Sequence, residues 1–286
     1  MHYFIYPTKD TWISSGSRKT DGASLTEQNF GQDEILELKK NFYNLTFDYP
    51  TRALIQFDLT SISESINNGD ITTPNTTANN GSEFYLRLYE AEGNKELSLN
   101  YGITAHAVSQ SWDVGKGKFG ADPQVKDGAS WNYRKFPEGG SGISWTTSGS
   151  SYLTASMGDT LGPIVASQSF SSSKPDIEMN VTDIVIPWLS SSQGTSDAGD
   201  GPEPEMTRRL RNNGFLLRFT GSQETNTETF GQLKFFSSNT NTIYSPKLEV
   251  RWDDHKPSTG SNTGSLDPLN VSASNADVYT SSVAGD

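Results

Sequence analysis

Short stretches of this chain carry apolar residues at every second position, and none sustains the 3.6-residue period of a long helix. Ala53, Ile55 and Phe57 alternate with Gln56 and Asp58, with Leu54 as an apolar interruption. Phe84, Leu86 and Leu88 alternate with Tyr85, Arg87 and Tyr89; Phe215, Leu217 and Phe219 repeat the pattern, as do Leu248, Val250 and Trp252. A strand sends successive side chains to opposite faces, so each stretch has one apolar face that needs a second layer to bury it. Gly, Asn, Ser, Thr and Pro fill the intervals, and helix formers cluster only at residues 34–40 and 205–211. The expected fold class is all-β. A chain of 286 residues can bury a sizeable core without staples, and with no cysteine it has no disulfide, thiolate or Cys-based metal chemistry.

The connections are long. Residues 67–82 are almost entirely Asn, Thr, Gly, Asp and Ser; residues 139–162 are Gly, Ser and Thr around Trp145 and Tyr152; residues 190–211 run from Ser/Gly through an acidic stretch into Arg208, Arg209 and Arg211. Structureless loops of this length in a compact domain usually carry function. Residues 109–133 break strand alternation and read as an ordered irregular loop pinned by Trp112 and Trp131. Residues 176–189 start as a strand at Ile177, Met179 and Val181 and turn into a short helix capped by Thr182 or Asp183. Pro187 fits such a helix only in its first turn or at an end. Strand patterning stops at Trp252, which divides the chain into a sandwich over 1–254, a linker over 255–266 and a C-terminal arm over 267–286.

The charge balance is 22 basic against 34 acidic residues, a formal −12. Nucleic acids and anionic membrane surfaces are therefore not expected as partners. No run of about 18 apolar residues is present, so no membrane-spanning helix is expected. The first seven residues show neither a basic nor an extended apolar region, so no signal peptide is expected. Of the three histidines, His106 lies in a strand-like run and reads as a residue with satisfied ring nitrogens rather than a general base. No diagnostic acid–base pair or nucleophile elbow appears, and no catalytic residue is assigned. Asp113, Asp122 and Asp127 share one loop and offer oxygens of the kind Ca²⁺ takes, against the plainer reading of a solvated acidic loop. Trp112 and Trp131 read as plugs at one end of the core; Trp145 and Tyr152 read as contacts for a partner protein or a glycan. Arg208, Arg209 and Arg211 suit pairing with acidic surface, within the chain or on a neighbouring copy.

Several segments in order carry a resemblance. They are residues 7–13 (PTKDTWI), Asn29-Phe30-Gly31 followed by residues 35–38 (ILEL), residues 52–59 (RALIQFDL), residues 84–89 (FYLRLY), residues 181–188 (VTDIVIPW), residues 213–217 (NGFLL), and residues 235–250 from FFSS to PKLEV. Together the order resembles the DNRLRE-type β-sandwich domain, a jelly-roll module related to carbohydrate-binding modules. Residues 111–120, 127–134 and 233–254 look, more narrowly, like virion structural proteins of large tailed phages.

The resemblance implies a jelly-roll-like antiparallel β-sandwich with long loops and a short C-terminal extension. It implies a non-enzymatic structural component of a tailed-phage virion (tail, neck, fibre or head surface). Such a component contacts other virion proteins and copies of itself through loops and the C-terminal arm, where Leu269, Val271, Val278 and Tyr279 suit an added edge strand. The alternative is a carbohydrate-binding module for host-surface glycan. A lyase or hydrolase stands third, on the neighbourhood of the fold alone.

Overall fold

A computed structural model describes residues 1–18, 21–43, 47–74, 81–92, 101–153, 165–170, 176–190, 211–228 and 230–253. All strand pairing in it is antiparallel, and the fold is an all-β sandwich.

The smaller sheet has four strands. β1 (His2–Ile5) pairs with β13 (Lys247–Arg251), β13 with β5 (Glu83–Leu88), and β5 with β10 (Ile177–Asn180). The larger sheet has seven. Its order runs β12 (Gly231–Phe236), β3 (Ile35–Tyr43), β4 (Phe47–Phe57), β11 (Phe215–Phe219), β6 (Tyr101–Ala107), β9 (Val165–Phe170), and β2 (Pro7–Ser14) also pairs with β4. A small hairpin of β7 (Tyr133–Lys135) and β8 (Ile143–Ser144) stands apart.

Period-two alternation builds the main core as expected. Ala53, Ile55 and Phe57, with Phe215 and Leu217 beside them on the same sheet, share one core with Leu86, Leu88, Leu248 and Val250 of the other sheet, all nearly or wholly buried. The Leu54 interruption has a structural meaning: Leu54 points to the opposite face of the sheet, into a second apolar cluster with Ile13, Val108, Trp112, Ala129, Trp145 and Leu216. The central strands of the larger sheet are thus buried on both faces, which is why their patterning is blurred.

Helices among the described residues refine the sequence reading. α1 (Thr60–Asn68) ends in the first two residues of the expected loop 67–82; it places Ile62 in the core with Ile66 packed beside it one turn on. Asp58 accepts hydrogen bonds from Thr60 N and Oγ1 at 3.0 and 2.6 Å, and Gly69 closes the helix at φ 82°. α2 (Thr182–Ser190) follows β10 as expected, but its entry is capped by Asn180, whose Oδ1 accepts from Thr182 N and Oγ1. Pro187 sits inside α2 rather than in its first turn, forgoing one backbone bond in exchange for burying Ile184, Val185 and Trp188. α3 (Gly221–Thr225) is a single turn. The predicted linker 255–266 and arm 267–286 lie outside the described residues.

Candidate functional site

Residues 108–153 fold back over the outer face of the larger sheet as an irregular roof. Asn29 fastens it. Its Nδ2 donates to Val114 O (2.8 Å) and Ala129 O (2.7 Å), its Oδ1 accepts from Gly31 N (3.0 Å) and Gly117 N (2.8 Å), and the side chain is fully buried. All four hydrogen-bonding positions of the amide are used on backbone, which joins the 29–31 turn to both ends of the 114–129 loop. Gly31 has to be glycine, since a Cβ there would lie 2.0 Å from Val114 O. Phe30 stacks on Trp12 at 3.7 Å between centroids. Trp112 is buried beneath the roof and donates from Nε1 to Asn213 O at 2.8 Å.

Two carboxylates, Asp10 and Asp33, extend the same network. Asp10, 2% exposed, accepts from Ser238 N and Oγ, both at 2.6 Å. Burial raises its carboxyl above the usual range, against those two bonds, which lower it. Asp33 accepts from Trp12 Nε1 and Phe119 N, both at 2.8 Å, and burial raises it likewise.

A charged group lies under the far side of the roof. Arg52 of β4 donates to both Glu224 carboxylate oxygens at 2.8 and 3.0 Å, and Arg218 of β11 pairs with the same carboxylate. Arg52 also donates to Gly149 O at 2.5 Å and lies over the rings of Trp131 (4.9 Å) and Tyr152 (5.4 Å); Arg218 donates to the Tyr152 hydroxyl. His106 fills the remaining corner. Nδ1 is 3.1 Å from Leu153 O and Nε2 is 3.1 Å from Thr104 Oγ1, with the ring 4.7 Å from Tyr152. Burial, and the two nearby guanidinium groups, hold this imidazole at about 4, against the pull of its bond to Leu153 and of Glu224, so it is neutral at pH 7. α3 ties this group to the rest: Gln223 Oε1 accepts from Gly102 N, and the carbonyls of Gln223 and Asn226 accept from the buried Lys40 ammonium. No local signal marks this cluster, because Arg52 and Glu224 are far apart in the chain and meet only through the fold.

Several expected site residues are placed differently. Trp145, read as a partner contact, is 5% exposed, and its indole N–H is taken by Ser130 O at 2.9 Å. The apolar outer face of β4 and β11 draws it inward. Tyr152 is half-buried between Arg52 and Arg218. Trp131 covers Arg52 and is only partly buried, so Trp145 takes the plugging role expected of it. Asp113 and Asp122 are exposed and Asp127 is half-buried; among the described residues no three His, Asp or Glu side chains converge as a metal site requires, so the expected calcium cluster is not assembled. Asp127 instead lines an open cleft of about 420 Å³ with Lys116, Lys126 and Phe136. Arg211 is partly exposed; Arg208, Arg209, Leu269, Val271, Val278 and Tyr279 lie outside the described residues.

The outer face of the smaller sheet has no roof among the described residues. Lys247 lies 5.2 to 5.8 Å from the ring centroids of Phe4, Tyr6 and Tyr89. Tyr89 and Phe236 flank Tyr244 at 5.5 and 5.8 Å. Across the same face Arg87 and Arg251 bridge Glu178 and Glu249, and Arg251 stacks 3.9 Å above Tyr85. Tyr3, Tyr6, Ile243 and Tyr244 are among the most exposed large hydrophobic residues described. Cations over ring faces fix the rings of this patch in place.

Neither a family profile nor a curated protein matches this chain.

Proposed function

We propose that this chain is a non-enzymatic structural module of a tailed-phage virion that contacts other virion proteins and copies of itself. The observation that carries the reading is the contrast between inward and outward chemistry. Arg52, Arg218, Glu224 and His106 are committed to one another and to backbone, while the face around Lys247 presents preorganised aromatic rings outward. Rings fixed by stacking and cation–π contacts lose little conformational freedom on binding, which favours a persistent contact. The phage assignment rests on the segment order of the sequence. Mass spectrometry and lysine cross-linking on gradient-purified particles test it. The expected result is the chain at fixed stoichiometry, with cross-links from Lys247 to another virion protein or another copy. Particles lacking the chain overturn it.

One observation favours a second reading, attachment to host glycan: exposed Tyr6 and Tyr244 offer ring faces of the kind sugars stack on. A glycan array comparing the chain with its Tyr6→Ser/Tyr244→Ser variant tests this. Binding lost in the variant supports attachment; silence of both removes it.

A further inference from the structure

The ends of the two sheets are not alike. The outer side of β10 is met by Gln168 of β9, which donates to Asp176 O (3.1 Å) and accepts from Glu178 N (2.9 Å). β12 is met by residues 89–91, with Ala91 N bonded to Lys234 O and Phe236 N to Tyr89 O. β1 ends the four-stranded sheet, and among the described residues β13 is its only strand partner.

The core also runs out at β1. Ile5 belongs to the main core at 9% exposure, whereas Tyr3, on the same face two residues away, is 49% exposed. Edge strands are normally blunted by charge or proline. The stretch His2-Tyr3-Phe4-Ile5 has no Lys, Glu, Asp or Pro. Such an unblunted edge can accept a further strand.

The sequence supplies a donor. The chain leaves the sandwich beside this edge: Trp252 N bonds to Met1 O at 3.1 Å and the Met1 ammonium to Trp252 O at 2.6 Å. A charged stretch (Asp253 to Lys256), a spacer rich in Ser, Thr, Gly and Asn over 258–265 and Leu266-Asp267-Pro268 follow, and then Leu269, Val271 and Ala273 alternate with Asn270, Ser272 and Ser274. That is the pattern of a half-buried strand. A chain of net charge −12 repels its own copies. Neither β1 nor residues 269–274 contain an acidic residue, so no carboxylates oppose each other within the paired segments; Asp267 and Asp277 flank the donor on either side.

We propose that residues 269–273 of a neighbouring copy pair with β1 and extend the four-stranded sheet. Leu269, Val271 and Ala273 then cover Tyr3 and continue the core, while Asn270 and Ser272 face outward with Phe4. Donation between copies makes a head-to-tail contact, which propagates or closes into a ring. The proposal rests on the assembly reading above and names the contact that reading needs.

The absence of cysteine gives a direct test in the full chain. Full-length Tyr3→Cys is mixed with full-length Val271→Cys, with Leu269→Cys and Ala273→Cys covering the neighbouring registers, under mild oxidation. Opposed residues on paired strands have Cα atoms about 4.5–5.5 Å apart, within disulfide range. The expected result is a mixed dimer in one register at least about tenfold faster than with a control cysteine at exposed Glu138. Val271→Asp in the same mixture with Leu269→Cys abolishes the advantage while leaving the melting temperature unchanged. Mixed dimers no faster than the control in all three registers overturn the proposal. Particle composition is read separately, so failure of this contact and failure of the virion assignment give different results.

Discussion

Leu54 and Tyr85 each lie on a central strand with side chains pointing away from the main core, yet Leu54 is fully buried and Tyr85 is partly exposed. The difference is the segment 108–153, which roofs one outer face and not the other. Covering the larger sheet takes an irregular layer of some length, and such a layer has many backbone groups to satisfy. The roof satisfies them through a few buried polar residues, Asn29 above all, and through the Arg52–Glu224–Arg218 group. The smaller sheet needs no such apparatus, because its outer residues are aromatic and charged pairs that tolerate water. One outer face is covered and internally bonded, and the other is uncovered among the described residues.

The contrast can be broken most forcefully at Asn29. Asn29→Ala strands two carbonyls and two N–H groups in the interior, at about 1–3 kcal/mol each before relaxation, so a loss of at least about 4 kcal/mol is expected. Urea unfolding measures it, and limited proteolysis is expected to cut first within residues 113–128. A loss below about 1 kcal/mol means that the roof is held by something else.

Glu224→Ala comes next. It leaves two guanidinium groups facing each other under the roof, and breaking a buried pair in this way costs about 3–5 kcal/mol. Adding Arg218→Met removes one of the two stranded charges and is expected to recover part of that loss. A double variant no more stable than the single one shows that repulsion between the two arginines is not the source of the cost.

The roof also carries a pH dependence through the buried His106. His106 has its proton affinity lowered by folding, so the unfolded chain binds a proton that the folded chain refuses between pH 6.5 and about 4. Stability is therefore full above pH 6.5 and falls as pH drops through that window, by about 3 kcal/mol at the low end. Asp10 and Asp33 act in the opposite sense: raised by burial, they take up protons more readily folded than unfolded and offset part of the loss near the carboxylate range. A His106→Gln variant whose stability is as steep between pH 7 and 5 as the wild type's rules out His106 as the cause.

The strands at 53–57, 84–88, 177–180, 215–219 and 248–251 and their core face were readable from period-two alternation, because burial on one side imposes it directly. The helix formers at 35–40 instead lie in β3, where pairing with β4 and β12 overrides their propensity. Leu54 was visible as an anomaly but not interpretable, since nothing local says what covers a second face. The motif Asn29-Phe30-Gly31 was recognisable as a unit, and its physical content, a fully used amide beside a position with no room for Cβ, emerges only with the loop 85 to 100 residues away. Trp145 was misread because a Ser/Thr/Gly setting suggests exposure, whereas the apolar underside of the roof takes up any large ring nearby. The patch around Lys247 went unseen for a related reason. Phe4, Tyr6, Tyr89 and Tyr244 come from separated strands and turns, and alternation marks them only as the non-core positions.

The smallest stability effect is expected on that patch, and it is the most informative about function. Tyr244 is 46% exposed and Tyr6 57% exposed, so replacing each with Ser forfeits little buried area. Substitutions away from the core usually fall within about 0.5 kcal/mol, and the melting temperature of Tyr6→Ser/Tyr244→Ser should barely move. Its binding should move a great deal, because aromatic anchors dominate contact energy. In an assembly competition with wild-type chain, the variant is expected to be under-represented in particles in proportion to its dose. Equal incorporation at unchanged stability would leave the patch with no task in assembly, and the contact surface would then have to be sought on the roof.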